Sequence, residues 1–383
     1  MSHAVVIGGG IGGLAAGIAL RRAGWRVRLL EQAPMLEPVG AGLSVSANGL
    51  KALDAIGVGE DVRRLARSLP LGGLRTRQGR LLIHTSESRM RARYDDSMAI
   101  LLRAELVQLL LDRLDGIELG VTVRAVDPQA KLVITDTDVI GADLIVGADG
   151  IHSRTRETLF PRHPSPVYSG VTAWRAVIAH QDPRLESFES WGRGQAFGAH
   201  PMAGDLVYLY ATDRAPAGAT HADERAGLLR RFAGWHRPIP ELLQATENAQ
   251  IIRNDIYHLT SPLPAMHLGS VALVGDAAHP MTPNLGQGAC TAIEDAVTLA
   301  DLARDLPAYT AARLSRTAAI TRMSAGICRM TMLRHPLLVM LREAGMTMAG
   351  RLSPDLVLRS MDEVLGWRPR GWAPNGRGPG ARV

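Results

Sequence analysis

Apolar residues open this chain as a short unbroken run, Ala4-Val-Val-Ile7, followed by glycines at 8, 9, 10, 12 and 13 and then an apolar stretch of helical period that ends near Leu20. A second run closes at Glu31. Strand, glycine turn, helix and strand over 4–31 predict the start of a doubly wound α/β domain, because parallel strands need a helical crossover and are buried on both faces. Two more apolar runs end in similar Gly/Asp signals: Ala142 to Ala148 before Asp149-Gly150, and Ser270 to Val274 before Gly275-Asp276. Three such strands so far apart in sequence imply a discontinuous domain.

From Ser165 to Ser270 the texture changes to alternating β segments with Gly/Pro turns, predicting a second, β-rich lobe. In 206–211 the period of two puts Leu206, Tyr208 and Tyr210 on one face and aliphatic residues on the other. Leu74 to Ile100 is expected to join this sheet. After Gly288 the pattern turns helical through Met361, and the Pro/Gly/Arg-rich tail from Arg368 reads as disordered. The expected division is therefore 1–70, 101–164 and 271–300 for the α/β domain, 71–100 and 165–270 for the β-sheet substrate domain, 301–367 for C-terminal helices and 368–383 for the tail. No internal repeat is present.

Composition narrows the function classes. With 383 residues, 46% hydrophobic and 21% charged, the chain suits two packed lobes able to enclose ligands. The net charge of +6 comes almost wholly from arginine, since Lys51 and Lys131 are the only lysines, and no basic run is interleaved with aromatics; nucleic-acid binding is not expected. Cys290 and Cys328 form neither a disulfide framework nor a metal-ligand spacing, which points to a cytoplasmic protein without a metal. Glycines break the apolar N-terminus, and Arg334, Arg342 and Glu343 interrupt Leu333 to Met348, so no stable membrane insertion is expected.

The chemistry concentrates in three motifs. Gly8-x-Gly10-x-x-Gly13 follows a strand and opens a helix, letting backbone amides approach a pyrophosphate without a Cβ in the way. Glu31 stands at the offset where a carboxylate accepts ribose hydroxyls and repels a 2′-phosphate, favouring FAD or NAD over NADP. In Asp143 to Arg156 a buried strand ends in Asp149-Gly150 and is followed by Arg154 and Arg156; an Asp-Gly turn with a helix-capping Ser153 accounts for this stretch equally well. In Gly275-Asp276 through Gly288, Asp276 can accept from polyol hydroxyls, and the amides after Gly286 offer a helix N-terminus to charge on a reduced ring.

With these motifs in one chain, the sequence resembles the FAD-dependent aromatic-ring hydroxylase family of flavoprotein monooxygenases, the group of para-hydroxybenzoate hydroxylase. Gly40-Ala41-Gly42-Leu43, Tyr168 through Arg175, Phe232-Ala-Gly-Trp235 and Pro283 through Gly288 look most like its zeaxanthin-epoxidase and urate-hydroxylase branch. The resemblance implies that Gly8, Gly10, Gly12, Gly13, Glu31, Gln32 and Arg103 hold the ADP half of FAD, with Ser44 nearby and Val123 beside the adenine. It places Asp276 at the ribityl chain, associates Asp149 and Arg156 with FAD and the reductant, and lines the isoalloxazine with Pro283, Gly286, Gln287 and Gly288. It further implies NADPH or NADH as a transient reductant, and O2 added at the flavin C4a for transfer to a small aromatic or polyene-like substrate, in a monomer or homodimer. Urate-oxidising relatives place a cation after a Gly-x-Gly turn where this chain has Gly192-Arg-Gly194-Gln195-Ala196, so Arg193 or Arg175 would have to replace it.

With one dinucleotide fingerprint, the reductant has no domain of its own. The Trp-x-Trp signature of flavin halogenases is absent, as no two tryptophans are two apart. An NAD(P)H oxidase or a non-catalytic FAD-binding protein is the alternative. Because the cofactor carries the oxygen chemistry, no obligatory catalytic side chain can be read. His200, taken as a loop histidine, and Tyr208, Tyr210 and Arg175 are the candidates. The late methionines (Met323, Met330, Met332, Met340, Met346, Met348) fit core packing or an apolar mouth.

Overall fold

The computed structural model describes residues 1–36, 41–66, 72–84, 86–352 and 354–372. Gly40 and most of the C-terminal tail lie outside the described residues.

Six strands form the first sheet, in the order β17 (His267–Leu268), β18 (Val271–Leu273), β11 (Leu144–Gly147), β1 (His3–Ile7), β2 (Arg26–Glu31) and β7 (Glu118–Leu119). The three apolar runs that end in Gly/Asp signals are thus neighbours: β1 pairs in parallel with β11, and β11 with β18. Their carboxyl ends fall on one edge of the sheet, where open α/β sheets bind ligands. Helix Ile11–Arg22 covers one face and packs on helix Gly288–Asp301; a Cβ on Gly12 would stand 3.3 Å from that of Ala292. The α/β class read from the sequence is the fold observed. A small antiparallel sheet, β8 (Val123–Asp127), β9 (Leu132–Thr135) and β10 (Val139–Gly141), is inserted before β11.

The second sheet has seven strands in the order β16 (Ile252–His258), β12 (Val167–Ala179), β15 (Leu206–Arg214), β14 (Gln195–Met202), β13 (Phe188–Trp191), β4 (Gly73–Thr76) and β5 (Leu81–His84). Its outer face buries Phe197, Val207 and Leu209 against Phe232, Trp235 and Leu242 of the helical segment that follows β15. The alternation in 206–211 therefore leaves Tyr208 and Tyr210 on the inner face, toward the first lobe.

Leu74 to Ile100 only partly joins this sheet. After β5 the chain forms a helix, Glu87–Tyr94, because Ser86 caps its amide at Arg89 and Met90 and Tyr94, one turn apart, share a buried stripe. Ala99–Leu102 (β6) then pairs with Gly42–Val45 (β3) in a separate two-stranded ribbon. Beyond Gly288 the chain is helical, as the pattern predicts, with a 26-residue helix Leu306–Thr331 and then helix Pro336–Leu352. The methionines there divide: Met332 is buried, whereas Met330, Met340 and Met348 are exposed. Among the described residues no helix is long and apolar enough to cross a membrane.

Candidate active site

The first glycine turn is tight because it must be. Gly8 sits at φ +110, and a Cβ there would stand 2.4 Å from the carbonyl oxygen of Ala148; one on Gly13 would stand 1.9 Å from the carbonyl of Gly8. Nothing lies within 4 Å of a Cβ on Gly10, so that side of the turn is open. Glu31 ties the turn to the end of β2: its two carboxylate oxygens accept from the amides of Gly9, at 2.6 Å, and Ala33, at 2.8 Å. Each oxygen keeps a lone pair for a further donor. A cavity of about 390 Å³ opens here, lined among others by Gly10, Glu31, Gln32, Val123, Asp149 and Gly150.

The Asp149 stretch shows how both sequence readings coexist. Asp149 accepts from the Ser153 hydroxyl at 2.5 Å and from the amide and hydroxyl of Thr155 at 2.9 Å, while Ser153 caps helix Arg154–Leu159 by accepting from the Arg156 amide. Arg156 is buried, and its guanidinium donates to the carbonyls of Ile151, Asp276 and Ala277. It braces the Asp276 backbone from inside rather than projecting into the cleft.

Asp276 follows β18 with accessible surface, yet desolvation raises its carboxyl above the usual range against the pull of His279, Arg103 and Arg156. Surface without bulk water is the signature of a side chain facing an internal cleft. Among the described residues nothing donates a hydrogen bond to this carboxylate. Arg103 has the same character: exposed at the head of helix Arg103–Leu111, pulled down by burial, and facing Asp276 and Arg175.

The third motif closes the cleft. Pro283–Leu285 makes one tight turn, Gly286 takes φ +62, and helix Gly288–Asp301 starts with no side chain capping its first amides. A Cβ on Gly286 would come 2.8 Å from Ser44 Oγ, so the ribbon strand β3 touches this loop. Beneath it, Gln287 is buried and accepts from Asn48 at 2.8 Å. Asn48 also donates to Glu294 at 2.6 Å, Glu294 accepts from Arg313 at 2.7 Å, and Arg313 donates to Asp295 at 2.6 Å. Asp295 in turn meets His279 Nε2 at 2.5 Å and the Gly275 amide at 3.0 Å. Desolvation opposes ionisation of Asp295, but His279 and Arg313 together hold its carboxyl below the usual range. This buried network fixes both ends of the 275–288 segment. Glu294 and Asp295 sit on a largely apolar helix, and their partners Asn48 and Arg313 carry no local sequence signal.

The inner face of the second sheet supplies the remaining wall. Tyr208 packs on Gly42, where a Cβ would stand 2.2 Å from the ring. Arg175, one strand over, donates to Asn254 at 2.8 Å and to Tyr208. His200 is a strand residue of β14, not a loop histidine, because Pro201 falls at the end of the ladder, where the missing amide proton does no harm. Its Nδ1 lies 2.5 Å from Ser187 Oγ, its ring stacks on Tyr210 with centroids 5.5 Å apart, and burial pushes it down to about 4, so it is neutral near pH 7. Arg193 is exposed in the turn between β13 and β14, whereas Arg175 faces the cleft. Sequence reading missed Glu189, which lies on this face beside Tyr210.

An FAD molecule fits this set: an open glycine turn, a cavity beside Gln32 and Val123, an acceptor carboxylate at Asp276 without a donor among the described residues, and a helix start at Gly288. Comparison with known proteins agrees. A family model described as FAD binding domain matches residues 1–201 and 240–312, well over half of the chain. The chain is 40% identical over 327 residues to the aurachin C monooxygenase/isomerase of Stigmatella aurantiaca, covering 82% of this chain and 85% of that protein. It is 33% identical over 315 residues to the 2-heptyl-3-hydroxy-4(1H)-quinolone synthase of Pseudomonas aeruginosa, covering 78% and 80%. The crystal structure of Klebsiella pneumoniae HpxO complexed with FAD and uric acid superposes with a TM-score of 0.87 at 27% identity, covering 95% of this chain and 96% of that one. The chain belongs to the FAD-binding family of flavoprotein monooxygenases.

Proposed function

We propose that this flavoprotein monooxygenase works as a single component, with NADH or NADPH as reductant and O2 as co-substrate, and that it hydroxylates a neutral aromatic heterocycle. The observation that carries the substrate reading is the inner face of the second sheet. There the tyrosines and a neutral His200 offer stacking surface and hydrogen bonds, while Arg175 is held by the neutral partners Asn254 and Tyr208. The quinolone synthase relative is named for a product of this kind, a neutral fused ring with a ring N–H. The aurachin C relative is, by its name, a monooxygenase.

FAD, when bound, supplies the reduction by NAD(P)H and the activation of O2. The residues of this chain do the rest. Gly10 and the amides of the first turn approach the diphosphate, Glu31 and Gln32 take the adenosine end with Val123, and Asp276 accepts from the ribityl hydroxyls with Arg103 alongside. Gly286 to Gly288 present amides to the ring, held by Gln287 and Asn48. Asp149 keeps the neighbouring helix start in place, and Arg156 holds the Asp276 backbone. Tyr208, Tyr210 and His200 stack on the substrate and exclude water. The reading is tested by measuring NAD(P)H oxidation with alkylated quinolones, phenols and polyenes. Stimulation by the quinolones above all others supports it, and equal, unstimulated rates with every compound count against it.

A further inference from the structure

We propose that Glu189 determines substrate specificity: its carboxylate selects an aromatic heterocycle that donates a ring N–H, and turns away phenols that carry a carboxylate. This rests on the monooxygenase reading above.

Register brings the parts together. Glu189 on β13 lies opposite Gly198 on β14, and Gly198 lies opposite Tyr210 on β15. Three residues in a row across three strands would ordinarily keep the outer two apart. Here the middle one has no side chain: a Cβ on Gly198 would stand 2.2 Å from Tyr210 Cζ and 2.6 Å from its hydroxyl oxygen, so the ring lies across the glycine and the phenol reaches Glu189. From the same strand as Glu189, Trp191 Nε1 donates to its Oε1 at 2.7 Å.

Both partners of the carboxylate are therefore neutral donors, and Glu189 makes no ion pair among the described residues. Desolvation raises its carboxyl, yet it keeps accessible surface, which places it on the wall of the internal cleft as Asp276 is. A row of groups runs along that wall. Asp276 and Arg103 lie at the cofactor end, Arg175 and Tyr208 follow, and Tyr210, His200 and Glu189 stand at the far end.

The cations of this row, Arg103 and Arg175, thus stand before Tyr210, and the far end is ringed by aromatic groups around one acceptor. A buried carboxylate without a cation is costly, and a substrate N–H aimed at it recovers part of that cost, while a substrate carboxylate adds like-charge repulsion in a medium that screens poorly. The clustered rings, with centroids 5.5 to 6.3 Å apart and His200 stacked on both tyrosines, fit a flat aromatic body.

The test measures binding without turnover, from the perturbation of the flavin absorbance of the FAD holoenzyme. Three ligands are titrated: an alkylated quinolone, its chromone isostere with ring oxygen in place of N–H, and salicylate. Wild type is expected to bind the quinolone at least about tenfold more tightly than the chromone, since a site built for a donor rejects the isostere that lacks it, and to bind salicylate most weakly. Glu189→Gln should narrow the quinolone-to-salicylate ratio by about tenfold or more. Equal binding of quinolone and chromone by wild type overturns the proposal, and so does a Glu189→Gln protein that holds FAD with the ratio unchanged. If Glu189→Gln does not retain FAD, the wild-type quinolone-to-chromone ratio alone decides. Selective binding of a quinolone that is never oxygenated would instead count against the monooxygenase reading and leave this one standing.

Discussion

Asn48 Nδ2 lies 2.8 Å from Gln287 Oε1 and 2.6 Å from Glu294 Oε1, joining the second helix of the chain to residues 239 and 246 positions later. One buried amide thus holds both the loop that would face the flavin ring and the carboxylate that anchors Arg313. Replacing Asn48 by Ala removes both donors and is expected to lower the unfolding free energy by about 1–3 kcal/mol. Asn48→Asp should cost more, because it sets a second carboxylate against Glu294. Denaturant unfolding of the three holoproteins checks this. An Asn48→Asp protein as stable as wild type would show that this network does not hold the 275–288 segment.

Acid should destabilise the protein through His200. Its folded value is pushed down to about 4 from an ordinary 6.5, so between those values the unfolded chain binds more protons than the native one. The native state then loses stability as pH falls from about 6.5 toward 4, by at most roughly 1.4 kcal/mol per pH unit, and this contribution is fully present above pH 6.5. His200→Gln, which cannot titrate, should show a shallower decline over that window. Unfolding free energies of both proteins at several pH values between 7 and 4.5 provide the measurement, and parallel curves would refute the assignment.

Asp276 presents a carboxylate to which, among the described residues, no group donates. Charge-assisted bonds from ribityl hydroxyls are worth about 1.5–3 kcal/mol, so Asp276→Ala should weaken FAD retention at least roughly tenfold. Asp276→Asn, which keeps an acceptor without the charge, should fall between. Equilibrium dialysis against FAD reads the dissociation constants, and unaltered affinity in the Ala variant would remove Asp276 from the site.

What could be read from the sequence follows from what is local. Gly8, Gly10, Gly13 and Glu31 sit within one strand–turn–helix–strand unit, and the parallel neighbours β11 and β18 announced themselves by ending in the same Gly/Asp signals. The alternation at 206–211 gave the correct face for Tyr208 and Tyr210 because one face of that strand is packed and the other is not. Glu189 was invisible for the opposite reason: its meaning depends on the register of three strands and on a missing Cβ at Gly198. Asn48 and Arg313 are likewise brought to Glu294 only by tertiary packing. Helix Glu87–Tyr94 was missed because the strands at either end of its segment set the expectation for everything between.

This chain uses bound FAD to put one atom of O2 into an organic substrate. The most direct test of this is turnover of the best quinolone, phenol or polyene under heavy-isotope dioxygen, with the product weighed by mass spectrometry and NAD(P)H consumption followed in parallel. One labelled oxygen atom per product molecule is expected, formed in step with NAD(P)H oxidation and lost when FAD is removed. Unlabelled product, or hydrogen peroxide as the sole fate of the reducing equivalents with every compound, would contradict it.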